Sequence, residues 1–458
     1  MFSPDDTIVA IATPPGRAGL GVVRLSGPRA ESIVQTLLRR NAPLPAREAT
    51  FTTLVDRSTG TRVTAIDQVV VTLFPRPQSY TGEHVVEVSA HGSPVLLERI
   101  LKLACSAGAR LAEPGEFTFR AFLNGRIDLV QAEAVADLID AVTPLQARQA
   151  FDQLEGTITE HIGDVDRQLF HLIARLEASL DFPEEGYHFI DADELVVGIE
   201  QLGKQIWSLL SGATQGRLIR EGCQVVIIGR PNVGKSSVFN YLIGSERAIV
   251  TEVAGTTRDL VTEVVDLNGL AVRLVDAAGI RPADDPVEAE GVSRARQALG
   301  VASAAMVVLD RSEPRAAEDR DVLNETTDTP RLVVLNKEDR PARWSPVEVP
   351  VGTAEISVEV SARTGKGMER LREQLGALLV GTTSLRDDPI VANTRHIDLL
   401  QRAVGALDAA SDAARGGATE EFVLADLQVA RAALEELTGK RTPDDVLQHI
   451  FERFCIGK

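Results

Sequence analysis

Residues 225–237 read VVIIGRPNVGKSS, an apolar run that breaks into Gly229-x4-Gly234-Lys235-Ser236. The run predicts a buried strand ending at Ile228, a glycine-rich turn, and a helix beginning near Ser237. That order turns loop N–H groups and the positive end of a helix dipole toward one point, which suits a phosphate. Gly229 and Gly234 let the backbone come close, Lys235 reaches the terminal phosphates, and Ser236 offers a hydroxyl to Mg²⁺. A chance match in a glycine turn would lack the strand before it and the helix after it. Residues Asn232, Val233, Gly234, Lys235, Ser236 and Ser237 are therefore candidate nucleotide contacts.

Three further motifs follow in the order such a site needs. Leu274-Val275-Asp276-Ala277-Ala278-Gly279 reads as a strand ending in DxxG, suited to a water-mediated Mg²⁺ contact at Asp276 and a γ-phosphate sensor at the Gly279 amide. Leu332–Asp339 is a strand ending in Asn336-Lys337-Glu338-Asp339. A carboxylate at Asp339 accepts from both N1–H and the 2-amino group of guanine; adenine lacks that donor pair and would leave the acceptor unmet. Ser361-Ala362-Arg363 reads as the loop that supports the base. Between the phosphate loop and DxxG lies Thr251-Glu252-Val253-Ala254-Gly255-Thr256-Thr257-Arg258-Asp259, where Thr257 is placed to complete the Mg²⁺ shell beside Ser236. Each tetrapeptide is weak alone; together they specify GTP. The residue after DxxG is Ile280, which has no polar group to orient an attacking water. The acidic stretch 284–291, with Glu288 and then Glu290, carries the nearest candidates.

A chain of 458 residues exceeds a single core, and three domains are expected. The net charge of −18 argues against nonspecific nucleic-acid binding over the whole surface, though a local basic site remains compatible with it. Three scattered cysteines (Cys105, Cys223, Cys455) exclude a disulfide framework and show no zinc-ligand spacing. Cys105 and Cys223 read as core residues. The N-terminus lacks a signal-peptide pattern and no stretch reaches membrane-spanning length, so a cytoplasmic protein is expected.

Four strand-like runs (8–12, 21–25, 68–73, 85–88) and two helical stretches (29–40, 94–107) predict an α+β domain over 1–123. From about Asp128 the period changes. Phe151, Leu154, Ile158, Ile162, Val165, Leu169, Leu172, Leu176 and Leu180 predict one long helix, and a second helix surrounds Ile199–Leu210. Helical spacing resumes after residue 382, through Leu399–Leu407, Leu424–Leu437 and Val446–Phe451. Neither helical half buries its stripe alone. The expected fold class is thus multidomain: an α+β N-terminal domain (1–123), an all-α domain made of 124–221 and 382–458, and an inserted α/β P-loop, Ras-like domain (222–381).

The whole chain resembles the tRNA uridine-modification GTPases of the MnmE (TrmE) type. The resemblance is carried by Asp6–Ala10, Ala12–Arg17, Tyr80–Glu83, Pro114–Phe117, Arg120–Asn124, Gln131–Ala134, Ile249–Thr251, Gly255–Asp259 and the terminal Phe454-Cys455-Ile456-Gly457-Lys458. It implies a folate-binding N-terminal domain that dimerises. It also implies a complex, heterotetrameric or larger, with a flavin-dependent MnmG-like partner that modifies carbon 5 of the wobble uridine in tRNA. The one-carbon source would be 5-formyl- or 5,10-methylene-tetrahydrofolate. By the same resemblance, Asn232, Thr251, Val253 and Thr256 form a K⁺ site, Glu288 orients the attacking water, and Arg24, Glu87, Arg126 and Lys458 contact the folate. Arg126 stands where the resemblance suggests a lysine, and Ala277 replaces a usual threonine. His91 lines the folate site or is a turn residue. Cys455 is either a thiol acting on the one-carbon unit or a buried cysteine at a helix end. A ribosome-assembly or regulatory GTPase like Era or Der is the alternative reading, but such proteins carry a basic GxxG RNA module or a second G domain.

Overall fold

The computed structural model describes residues 6–57, 63–181, 191–245, 261–276, 297–344, 356–380 and 391–457. The chain divides into two compact units: Met1–Ala136, Gln153–Ile199 and Gly405–Lys458 form the first, Asp137–Asp152 and Glu200–Val404 the second.

The first unit opens with β1 (Ile8–Ile11), β2 (Ala18–Ser26), α1 (Ala30–Leu37), β3 (Thr50–Asp56), β4 (Thr64–Phe74), β5 (Val85–Gly92), α2 (Pro94–Ser106), β6 (Arg110–Leu111) and α3 (Glu116–Leu123). Six strands make one sheet in the order β3-β4-β5-β2-β1-β6, antiparallel except for the parallel β1–β6 pair. Period-2 alternation decides its faces. Val69, Val71, Val86 and Val88 turn inward onto the core that Ile33, Val34, Leu97 and Ile100 of α1 and α2 complete. On the opposite face Phe51 is 69% exposed, as is its cross-strand partner Val70 to a lesser degree.

The helical part follows as α4 (Leu129–Asp140), α5 (Pro144–Leu154), α6 (Thr157–Asp181), α7 (Ala192–Leu210) and α8 (Ala213–Glu221). The single long helix expected from Phe151 to Leu180 is two helices. The chain turns at Gly156, whose φ of 93° is left-handed, and Phe151 falls on α5 with its ring exposed. From Ile158 the expected stripe holds, through Ile162, Val165, Leu169 and Leu176.

The second unit's sheet contains β7 (Cys223–Ile228), β8 (Val261–Leu267), β9 (Leu270–Asp276), β10 (Ala304–Asp310), β11 (Arg331–Asn336) and β12 (Ile356–Glu359), in the order β12-β11-β10-β7-β9-β8. All pairs are parallel except β8–β9. Its central strands are buried on both faces, which explains continuous runs such as VVII and AAMVVL. Helices α9 (Lys235–Ser245), α10 (Ala317–Glu325) and α11 (Met368–Val380) accompany it. This is the α/β P-loop architecture expected for the segment.

The chain ends in α12 (Thr394–Arg415), α13 (Glu420–Thr438) and α14 (Asp444–Phe451). Within the first unit α13 packs along α6, with Arg431 and Lys440 bonded to Asp166 at 3.2 and 3.1 Å. The two apolar stripes, far apart in sequence, thus cover each other. Among the described residues no helix is long and apolar enough to cross a membrane.

Candidate functional site

The nucleotide motifs converge at the C-terminal ends of β7, β11 and β9, at the point where the strand order reverses, the usual crevice of an open α/β sheet. The loop after β7 is shaped by Gly234 at φ 99°; a Cβ there would run into the Asn336 amide. Asn336 is the pin between motifs. Its Nδ2 donates to the Val233 carbonyl at 2.9 Å, and its Oδ1 accepts from the Ala362 N–H at 3.2 Å. Phosphate loop, NKxD and Ser361-Ala362-Arg363 are joined by that one side chain.

Lys235 opens α9 and is buried. Its ammonium donates to the loop's own Gly229 and Arg230 carbonyls at 2.7 and 2.9 Å. Burial pulls its pKa below the usual lysine range, against the opposing pull of Asp276. Ser236 Oγ donates to Asp276 Oδ2 at 2.9 Å, so the expected hydroxyl and carboxylate of a Mg²⁺ site sit side by side. Hard oxygen donors of this kind suit Mg²⁺. At the base end, Ser361 Oγ donates to Asp339 Oδ1 at 2.7 Å. Ser237 follows on the exposed side of α9, and Arg363 lies in the turn after Ser361. The expected roles of Thr251, Glu252, Val253, Ala254, Gly255, Thr256, Thr257, Ala277, Ala278, Gly279, Glu288 and Lys458 fall outside the described residues.

A second polar cluster lies in the first unit. Arg24 on β2 and Glu87 on β5 are cross-strand partners. Arg24 Nε and Nη2 both bond Glu87 Oε1, at 2.9 and 2.8 Å, which leaves Oε2 without a recorded partner among the described residues. The guanidinium lies 5.8 Å from the ring centroids of both Tyr80 and Phe117. Tyr80 O–H is bonded with Thr118 Oγ1 at 2.8 Å, and burial pushes its phenol above the usual range, keeping it neutral. The end of the chain returns to this cluster: Arg24 Nη1 donates to the Gly457 carbonyl at 3.3 Å. Phe451 and Phe454 anchor the return by packing on Leu129, Ala132 and Val135 of α4, with the Phe119 and Phe451 rings edge to face.

Both regions have counterparts in known proteins. Residues 7–126 match the family model of the GTP-binding protein TrmE N-terminus, and residues 129–455 match that of the MnmE helical domain. The tRNA modification GTPase MnmE of Koribacter versatilis (strain Ellin345) is 44% identical over 460 residues, covering 99% of each chain. That of Chloroflexus aurantiacus is 43% identical over 457 residues, covering 99% of this chain and 100% of the other. The chain belongs to the MnmE family. It binds GTP and is a GTPase that acts in tRNA modification.

Within this MnmE-family chain some expectations change. Cys455 is exposed beyond the end of α14, which removes the reading of a buried helix-end cysteine. Cys223 is a core residue as expected, and burial pushes its thiol up to about 12. His91 is a strand residue rather than a turn residue; it lies on β5, exposed and bonded to Asp67 at 2.8 Å. Arg126 is exposed and lies against Gly82, in the loop that carries Tyr80. Three residues to which the sequence reading gave no site role also belong here: Tyr80 and Phe117 beside Arg24, and Asp310 behind Lys337. For Asp310 a signal was available, since it is the one charged residue closing the apolar strand AAMVVLD.

Proposed function

We propose that this GTPase is the nucleotide-hydrolysing subunit of a complex that installs an aminomethyl or carboxymethylaminomethyl group at C5 of the tRNA wobble uridine. The one-carbon unit comes from 5-formyl- or 5,10-methylene-tetrahydrofolate, and a flavin-dependent MnmG-like protein is the partner in a heterotetramer or larger assembly. The observation that carries this reading is the return of the C-terminal peptide to Arg24 beside Glu87. A carboxylate whose second oxygen has no partner among the described residues, next to a guanidinium and two aromatic rings, fits the fused ring and paired donors of a pterin. Arg24, Glu87, Arg126 and Lys458 would hold the folate, which supplies a carbon at the formaldehyde or formate level. Cys455, exposed in the same tail, is available as a nucleophile toward that carbon.

Residues 124–221 and 382–458 act as one helical domain around the GTPase segment 222–381, a layout that the α6–α13 packing supports. The open sheet face at Phe51 and Val70 supports a homodimer built through the N-terminal domain. The protein works in the cytoplasm. In the GTP site Ser236 and Thr257 would hold Mg²⁺, Glu288 would position the water, and Asn232, Thr251, Val253 and Thr256 would hold K⁺. Asn232 is exposed at the loop crest with φ 63°, leaving its amide oxygen free to turn to a cation.

Deleting residues 455–458 tests the folate reading. Phe451 and Phe454 remain, so the truncated chain keeps its anchor. GTP hydrolysis is expected to be spared, 5-formyl-tetrahydrofolate binding weakened, and wobble-uridine modification lost in a deletion strain. Retained modification would sink the role of the tail. For the cation, GTP turnover is expected to be much faster in KCl than in NaCl at equal ionic strength; equal rates would remove the K⁺ assignment.

A further inference from the structure

The strand β10 is buried through its whole length and ends on a charge, Asp310, which is 3% exposed. A carboxylate in that position is costly unless both oxygens are met. Here they are. Oδ1 accepts from the Ser312 N–H and hydroxyl at 2.8 and 2.7 Å, and Oδ2 accepts from the Lys337 ammonium at 2.5 Å. The Asp310 carbonyl accepts from Trp344 Nε1 at 3.1 Å, fixing the backbone as well. Burial works to raise its pKa, but the bonds from Lys337 and Ser312 prevail and hold the carboxyl below the usual range.

Lys337 passes the constraint on. Its ammonium also donates to the Asn232 carbonyl at 2.9 Å, so it is shared between β10 and the crest of the phosphate loop. Lys337 and Asn232 both have left-handed backbones, with φ of 65° and 63°. Asparagine enters this region readily, but for a lysine it is uncommon and marks a backbone that its surroundings hold. The other side of the same crest is gripped too. Arg230 pairs with Glu313 at 2.8 Å and Asp319 at 3.2 Å, both on the segment that follows Asp310. Arg230 and Asn232 are therefore held from two sides, one by the segment after Asp310 and the other by Lys337, with Asp310 behind the second contact.

We infer that Asp310 is a positioning residue for GTP: through Lys337 it fixes the phosphate-loop crest at Asn232 before the nucleotide arrives. Fixing the crest removes an ordering cost from binding. Asp310 touches neither the phosphates nor the attacking water, and Lys337 holds the Asn232 carbonyl rather than the side-chain amide proposed for K⁺, so at saturating KCl the hydrolytic step is expected to change little. Its signature is a change in affinity without a change in turnover.

The test is Asp310→Asn in the full-length protein, with Asp310→Asn/Lys337→Gln as its partner. The single substitution keeps the shape and removes the charge. We expect Kd for GDP and KM for GTP to rise roughly 10- to 100-fold, the range for losing a hydrogen bond between charged groups, with kcat at saturating GTP and saturating KCl within about twofold. In a Lys337→Gln background, Asp310→Asn is expected to add almost nothing, because the path through Lys337 is already cut. A purely structural Asp310 would weaken both backgrounds equally, and that result overturns the inference. So does a fall in kcat at unchanged KM. Should Asp310→Asn fail to fold, Ser312→Ala carries the test, since it loosens Asp310 while keeping its charge. A KM rise of roughly two- to fivefold is expected there, and an unchanged KM is decisive against the proposal.

Discussion

Asp339→Asn is expected to convert the nucleotide preference from GTP to xanthosine triphosphate. Asp339 Oδ1 is held by the Ser361 hydroxyl at 2.7 Å. That hydrogen bond, with the nearby Arg363 and Arg340 charges, keeps its carboxyl below the usual range, so it is an acceptor throughout neutral pH. Guanine offers N1–H and a 2-amino group, two donors for one carboxylate. Xanthine has a carbonyl in place of the 2-amino group, and an asparagine amide can donate to it. The site's discrimination comes from leaving a polar group unmet, which is worth far more than a lost apolar contact. We expect kcat/KM for GTP to fall by roughly 10²–10⁴ and that for xanthosine triphosphate to rise. Values of kcat/KM for both nucleotides, measured on the same preparation, decide it. Unchanged GTP selectivity would remove Asp339 from base recognition.

The second large effect lies in the first unit. Arg120 is 2% exposed and its neighbour Glu116 fully buried. Arg120 bonds Asp6 at 2.5 Å, Glu116 at 2.9 Å and Glu83 at 3.2 Å, while Arg110 bonds Glu116 at 2.6 Å and Asp6 at 2.7 Å. This network ties α3 to the chain before β1 and to the loop before β5. It thereby fixes Phe117, the α3 residue beneath Arg24. Arg120→Met leaves Asp6 and Glu116 sharing Arg110 and takes the arginine from Glu83, and removing one partner of a buried ion pair costs about 3–5 kcal/mol. Urea unfolding followed in the N-terminal region is expected to shift by that amount, while GDP binding in the second unit stays intact. The acid limb also moves. Burial works to raise the pKa of Asp6, but the bonds from Arg110 and Arg120 hold it lowered. A lowered carboxylate stabilises the fold above its unfolded value, and that stability is lost as pH falls through the folded value. Without Arg120 the loss is expected to begin at higher pH. An unchanged acid limb and unchanged midpoint would show the network to be dispensable.

The features legible in the sequence are those written locally. Gly229-x4-Gly234-Lys235-Ser236 announces a strand, a turn and a helix within thirteen residues, and NKxD and Ser361-Ala362-Arg363 sit at strand ends for the same reason. The stripe from Ile158 to Leu176 predicts its helix because period 3.6 needs no partner to be seen. The stripe's false start at Phe151 has a local cause: Gly156 breaks the helix, and an apolar residue one turn earlier happens to continue the period. What the sequence conceals is pairing. Arg24 and Glu87 each read as ordinary strand residues until the antiparallel register sets them opposite one another. Asp310 becomes meaningful only when the parallel β10–β11 register brings it beside the NKxD loop. Cys455 could be read as buried or free because its exposure depends on how the tail folds back, which no nearby residue encodes.

The bond between Arg24 and Gly457 joins positions 433 residues apart. During synthesis the N-terminal sheet has all its strands long before that partner exists. The surfaces of α3 and α4 that receive Phe451 and Phe454 must wait, uncovered, while the helical segments and the whole nucleotide-binding sheet are made. Loop-closure entropy makes such a late, distant contact slow to form, and exposed apolar surface is where an incomplete chain is captured or aggregates. Newly made chains thus pass through a stage at which nucleotide binding is already possible and the Arg24 cluster is still open. Residues 451–457, made long after the N-terminal sheet, act as a seal on it.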